Sequence, residues 1–342
     1  MGETFMATEI AESGAAIRRQ LDANARAVAD LAADLRSSAP AFVVTIARGS
    51  SDHAALFLKH AVELKVGLAC ASLGPSVASL YRAPLRLDRA VAITISQSGR
   101  SPDILAMQQA AKQAGATTIA LVNDVGSPAA TDADALIPLH AGEERSVAAT
   151  KSMIASLVAG LSIVASWSQD ADLAAALDRL PGVLDASRGP PPAEAVERLA
   201  KAASLYVIGR GATFAVAAEA ALKLKETSAI HAEAFSSAEV LHGPAGVIGE
   251  DFPVLGFAPA DAARDGFFDA IERLEAFGAA PFVVDSAPHP RWPTFVAPDG
   301  GHALTTPVAA LHAFYRLAEA TARRRGRDPD RPPHLMKVTQ TL

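Results

Sequence analysis

VVTIARGSSDHAA, residues 43–55, returns as LYVIGRGATFAVA at residues 205–217. Each copy is an apolar run of strand type, then Arg-Gly followed by small or hydroxyl-bearing residues, then a helical pattern. A second pair, KQAGATTIALVND at 112–124 and LEAFGAAPFVVDS at 274–286, matches at nearly the same offset. Between them AITISQSGRSPD (92–103) falls opposite VLGFAPAD (254–261), so the order of elements is kept while the hydroxyls are not. Two similar lobes descended from one unit are expected.

Around these anchors, FVVTI (42–46), AVAITI (90–95), TTIALV (117–122) and ALIPL (135–139) alternate with longer helical patterns. Apolar strands without polar alternation, separated by helices, predict α/β lobes whose parallel sheets are covered on both faces. Ile17, Leu21, Val28, Leu31 and Leu35 form a helical stripe before the first strand. The prolines and glycines of LPGVLDASRGPPPA (180–193) predict a break between lobes, because they do not continue a helix. The expected divisions are an N-terminal helix (1–35), a first lobe (36–187) and a second lobe with a C-terminal tail (193–342).

The 342 residues are 50% hydrophobic, 20% charged and 5% aromatic, which supports a large core and speaks against disorder. Lys plus Arg number 31 against 37 Asp plus Glu, a formal charge of -6, so no nucleic-acid partner is expected. One cysteine, Cys70, excludes an intrachain disulfide and a Cys-based zinc set. No metal or organic cofactor is indicated. The acidic N-terminal stretch lacks a signal-peptide pattern, and the longest apolar stretch, 153–167, is shorter than a bilayer span and reads as a buried helix. A cytoplasmic protein with no membrane partner is expected.

SQSGRSPD (96–103) places Ser96, Ser98 and Ser101 where a strand gives way to a helix. Free amides at a helix start and three hydroxyls suit an anion, with a phosphate monoester the natural ligand. A Ser-rich capped turn is the plain alternative, yet APAD makes the matching turn without serines. EERSVAATKS (143–152) is a second candidate, with Thr150 as ligand and Lys151 either a ligand or a solvated lysine. In ARGSSDHA (47–54), Ser50 and Ser51 precede a helix that Asp52 can cap.

In the second half, Glu219, Lys223 and Glu226 stand at i, i+4 and i+7 on one helix face. That row is either a surface ion-pair ladder or, given its Leu- and Ala-rich flanks, a buried set containing a tuned base. His242 precedes Gly243-Pro244, a turn able to hold an imidazole at a cleft edge. Pro332 and Pro333 force an extended approach to Lys337 in a tail that by default frays.

SQSG, VAATK, ALKLKE followed by HAEAF, HGP, and the DxDxPxxLxK pattern of 328–337 occur in the order of one family. From about residue 15 onward the chain resembles the two sugar isomerase (SIS) domains of glucosamine-6-phosphate synthase, also called glutamine-fructose-6-phosphate aminotransferase. The resemblance implies two tandem SIS lobes, doubly wound in flavodoxin-like order, and a homodimer whose active site is shared between subunits. It implies that Ser96, Gln97, Ser98 and Ser101 hold the phosphate, with Gly49, Ser50 and Ser51 in the neighbouring loop. Val147, Ala148 and Thr150 would contact the sugar. Glu226 would shuttle a proton between C1 and C2, His242 from the neighbouring subunit would open the ring, and Lys337 would form a Schiff base with the open ketose. Glu219 and Lys223 would support them.

The departures are Arg48 for the family's cysteine before Gly49, Leu241 for the lysine before HGP, and Ala149 for a hydroxyl residue. Position 2 is Gly2 where the full synthase has its glutamine-hydrolysing cysteine, so amide transfer from glutamine is not expected. The expected activity is an amino-sugar phosphate deaminase or isomerase, converting glucosamine 6-phosphate to fructose 6-phosphate and ammonia. Synthesis with free ammonia, isomerisation of another hexosamine or ketose phosphate, and a non-catalytic phosphosugar sensor are the alternatives. The sensor needs neither Glu226, His242 nor Lys337, and related regulators carry a DNA-binding domain, for which no basic surface is evident here.

Overall fold

In a computed structural model that describes residues 2–187 and 189–337, the first sheet contains five parallel strands. They are β1 (Phe42–Ile46), β2 (Cys70–Ser72), β3 (Ala90–Ser96), β4 (Thr117–Val122) and β5 (Ala135–Pro138), in the order β2-β1-β3-β4-β5. The second sheet has β6 (Ser204–Gly209), β7 (His231–Ser236), β8 (Phe252–Phe257), β9 (Ala279–Asp285) and β10 (Thr294–Val296). Its order, β7-β6-β8-β9-β10, repeats the first, and all its pairs are parallel. Both have the doubly wound, flavodoxin-like arrangement expected of tandem lobes.

The helices are α1 (Phe5–Ala11), α2 (Ser13–Ser38), α3 (Ser50–Lys65), α4 (Ser76–Ser79), α5 (Pro102–Gln113), α6 (Pro128–Asp132), α7 (Lys151–Ser168) and α8 (Ala171–Ala186). After them come α9 (Ala193–Lys201), α10 (Ala212–Ser228), α11 (Arg264–Ala276) and α12 (Thr306–Arg324). Two 3-10 turns, Glu239–Leu241 and Pro244–Val247, follow β7.

The duplication is visible in register. Val44 pairs with Ala92 in the first sheet and Tyr206 with Val254 in the second, the matches expected from the sequence repeat. On the next strand Ala92 pairs with Thr118 but Val254 with Pro281, so the pair of segments at 112–124 and 274–286 is shifted by one residue. Val44 and Ile46 pack under Ile104 and Met107 of α5, while Tyr206 and Ile208 pack under Phe267 and Ile271 of α11. Every residue of β3 is buried, which explains the missing polar alternation.

Residues 15–144, 151–178 and 336–337 form one compact unit, around the first sheet. The other, around the second sheet, takes residues 2–14, 145–150, 179–187 and 189–335. α8 runs through Pro181 and Gly182 to Ala186, where the sequence predicted a break from Leu180. A proline inside a helix removes one backbone bond, but buried Leu180 and Leu184 anchor its flanks. The N-terminal helix also comes in two pieces, α1 and α2. β2, β7 and β10 were not foreseen, being short or, like HAEAFS, carrying polar residues. α7 is long and apolar enough by composition to cross a membrane, yet 83% of it is buried. Its Ser156, Ser162 and Ser168 hydroxyls donate to the carbonyls one turn back, so burial leaves them bonded.

Candidate active site

In a sheet of this order, chain connections diverge on either side of β1 and β3, leaving a crevice beyond their carboxyl ends. The loops there are 48–51 after β1 and 96–101 after β3. Gly49 is the N-cap of α3, with φ 56° and ψ -133°, a conformation that side-chain-bearing residues resist. Ser50 and Ser51 therefore begin the helix, and Asp52 lies in its first turn rather than capping it. Burial raises the Asp52 pKa, with the charges of His53 and Arg48 and a hydrogen bond with Ser72 opposing the rise.

In the serine loop, the Gly99 amide donates to Ser96 Oγ at 3.0 Å and the Arg100 amide to Ser98 Oγ at 3.4 Å. Gly99 has φ 62°, and a Cβ there would lie 2.2 Å from Ser127 Oγ, so a tight turn leaves no alternative residue. Ser101 is the N-cap of α5 with Pro102 at its first position, and Gln97 and Ser98 are half-buried beside it. Arg48, a departure from the family's cysteine at this position, reaches across the crevice and donates to Asp103 Oδ2 at 3.0 Å. Asp103 is buried and in the first turn of α5, so this charged bond ties the two loops together. An acid in a helix's opening turn was the available signal.

The described part of the tail, up to Lys337, is anchored rather than frayed. Asp330 accepts from the amides of Phe5 and Met6 at 2.8 Å, and its carbonyl accepts from the Val147 amide at 3.1 Å. In the same unit the Arg145 and Ser146 amides donate to Glu9. These bonds hold the loop carrying Val147, Ala148 and Thr150, of which Ala148 and Thr150 are buried. Lys151 is buried and donates to the Glu143 carbonyl at 2.8 Å, so its solvated reading fails. Lys337 donates to Glu144 Oε2 at 2.8 Å. Burial pushes the Glu144 pKa up, but the Lys337 charge and hydrogen bond, with those from Ser152, outweigh it and hold the carboxyl below its ordinary value.

On α10, Lys223 lies 3.5 Å from Glu219 and is hydrogen-bonded to Glu226. Lys223 and Glu219 are fully buried while the Glu226 side chain is 20% exposed, so the outer carboxylate alone keeps access to solvent. Tyr315 of α12 donates to Glu219 at 3.1 Å, a partner that no sequence spacing announces. The row is a buried charged set, not a surface ladder.

His242 stands exposed after the first 3-10 turn, before Gly243 with φ 135° and Pro244, whose carbonyl accepts from Tyr206 at 2.9 Å. Leu241 and Ala245 pack with Tyr206 and Ile208 on one face of the second sheet. α10 covers the other face, where Gly209 abuts the backbone of Thr213. Within one chain the sheet therefore stands between His242 and Glu226. The structure brings together Glu219, Lys223 and Glu226, and separately the 48–51 and 96–101 loops.

A SIS domain family model matches residues 40–166 and 198–310, one segment in each lobe. The chain belongs to the SIS domain family. Glutamine-fructose-6-phosphate aminotransferase of Symbiobacterium thermophilum is 32% identical over 97% of this chain and 58% of its own length. The chain thus spans a little over half the length of the curated relatives it matches. A solved structure from Silicibacter pomeroyi, described provisionally as a phosphosugar isomerase, is 48% identical, covers 96% of this SIS chain and all of its own, and has a TM-score of 0.91. Glucosamine-6-phosphate deaminase of Thermotoga maritima has the same fold at 19% identity, with a TM-score of 0.79, covering 99% of this chain and 100% of its own. Among the described residues no cluster of metal-ligating side chains occurs.

Proposed function

We propose that this SIS protein is an enzyme that interconverts phosphorylated amino sugars, acting as a deaminase that turns glucosamine 6-phosphate and water into fructose 6-phosphate and ammonia. The Glu219-Lys223-Glu226 set carries this reading, because a pure sensor has no use for a carboxylate that keeps a fifth of its side chain exposed while held against an enclosed cation.

The amides and hydroxyls of Ser96, Ser98 and Ser101, with Gln97, would grip the phosphate, with Gly49, Ser50 and Ser51 alongside and Val147, Ala148 and Thr150 on the sugar. His242 would transfer the proton that opens the ring. Glu226 would then take the proton from C2 and return it to C1, leaving a C2 imine that adds water and expels ammonia. Lys223 stabilises the negative charge that develops between those steps. Lys337, paired with Glu144, would bind the open ketose. Since the second sheet separates His242 from Glu226 in one chain, the histidine would come from a second copy, making the working unit a homodimer.

Cys70, the one cysteine in these 342 residues, is not suited to glutamine hydrolysis. It is buried, and burial pushes its thiol up to about 11, far from a nucleophilic thiolate at neutral pH. A cytoplasmic setting accords with a soluble phosphorylated substrate. Synthesis from free ammonia is the same chemistry run backwards.

The test is incubation of the purified protein with glucosamine 6-phosphate, reading ammonia and fructose 6-phosphate, with galactosamine 6-phosphate and N-acetylglucosamine 6-phosphate alongside. Ammonia from glucosamine 6-phosphate alone is expected. Ketose-aldose exchange without ammonia would overturn the deaminase in favour of an isomerase, and no turnover of any phosphosugar would favour a sensor.

A further inference from the structure

The second lobe has its own crevice beyond the carboxyl ends of β6 and β8, the counterpart of the one that holds the serine loop. A cavity of about 290 Å³ opens there, lined among others by Arg210, Ser237, Leu241, Asp269 and Arg273. One wall follows a face of α11 from its N-cap Ala263 through Gly266 and Ala270 to Arg273 in the last turn.

Arg210 occupies the position of Arg48, following β6 as Arg48 follows β1, and Gly211 repeats the backbone of Gly49 with φ 58° and ψ -130°. Its bonding differs. Arg48 is tied to buried Asp103, whereas Asp265, the matching acid of α11, is exposed and forms no ion pair with Arg210 among the described residues. Arg273 likewise has no carboxylate within ion-pair distance there, although Asp269 stands one turn before it. The neighbouring arginine, Arg264, is already committed to Asp285 at 2.6 Å.

This cavity is not the catalytic one. α10 begins at the carboxyl edge beside Arg210 and runs antiparallel to β6, so thirteen residues of helix carry Glu226 roughly 20 Å away along the helix axis.

We infer that the cavity lined by Arg210 and Arg273 is a second anion site that binds a small phosphate monoester. Two guanidiniums without a carboxylate partner among the described residues match the charge and planar donor geometry of a dianionic phosphate. Ser237 and Asp269 line the same cavity. A volume at the low end of ligand pockets takes a phosphorylated monosaccharide rather than a sugar nucleotide. On the proposed function the first lobe would hold its anion with neutral hydroxyls and amides, which suits turnover. The second uses fixed charge, which suits retention of a regulator.

Calorimetric titration of the full chain with fructose 6-phosphate tests this, using wild type, S96A/S98A and R210Q/R273Q. A binding event that survives S96A/S98A and weakens about tenfold or more per arginine in R210Q/R273Q is expected. Binding unchanged in R210Q/R273Q, or wholly abolished in S96A/S98A, would overturn the inference whether or not the deaminase reading holds. Should the double arginine variant fold poorly, a wild-type crystal soaked in inorganic phosphate decides the matter. Phosphate between the two guanidiniums supports the site, and an empty cavity there overturns it.

Discussion

Lys337 Nζ lies 2.8 Å from Glu144 Oε2, joining a residue near the chain's end to a carboxylate with no exposed surface. The pairing holds the Glu144 pKa below the ordinary 4.5 against the opposite pull of burial. A depressed folded value means that the stabilisation is complete above about pH 4.5 and is lost as pH falls through the lower folded value. Lys337→Met leaves burial dominant, so the carboxyl should rise and acid unfolding begin at higher pH. At pH 7 the variant should lose up to about 3–5 kcal/mol. Urea unfolding between pH 4 and 8 reads both effects, and superimposable curves would refute the pairing.

Glu226→Gln should lower turnover of glucosamine 6-phosphate by about 10² to 10⁴-fold while phosphosugar binding persists. Lys223→Met differs, since it strands Glu219 without its cation in a fully buried place. About 3–5 kcal/mol of stability should go with it. Steady-state kinetics beside thermal unfolding separates the two. Equal loss of stability in both variants would make the set structural.

Mixing inactive Glu226→Gln and His242→Ala proteins under conditions of subunit exchange should restore about a quarter of wild-type turnover, because half the dimers then carry one intact shared site. No recovery, with mixed dimers demonstrated, would place histidine and glutamate from one chain in the same site.

Gly49→Ala and Gly211→Ala should each cost about 1–3 kcal/mol, by backbone strain alone, since no atom lies within 4 Å of where either new methyl would stand. The costs should be alike because the dihedral angles nearly coincide. Thermal unfolding measures them, and a neutral Gly211→Ala beside a costly Gly49→Ala would contradict the matching.

What could be read from the chain alone was whatever depends on local pattern. Central strands buried on both faces show as apolar runs, so β1 and β4 were bounded to the residue. The two Arg-Gly turns marked the repeat because one backbone conformation excludes other residues from that position. Spacing on α10 aligned Glu219, Lys223 and Glu226, since helical periodicity is enough to place them on one face.

Tertiary packing decided the rest. β7 is a strand because β6 offers it a parallel partner, not because HAEAFS has strand composition. Pro181 is tolerated within α8, whose apolar neighbours are buried. Lys151 is buried where its helix-start position suggested solvent. The ties of Arg48 to Asp103, Tyr315 to Glu219 and Lys337 to Glu144 span 55, 96 and 193 residues. No periodicity carries information over such distances; only the folded chain brings those polar and charged groups close enough to offset their loss of water.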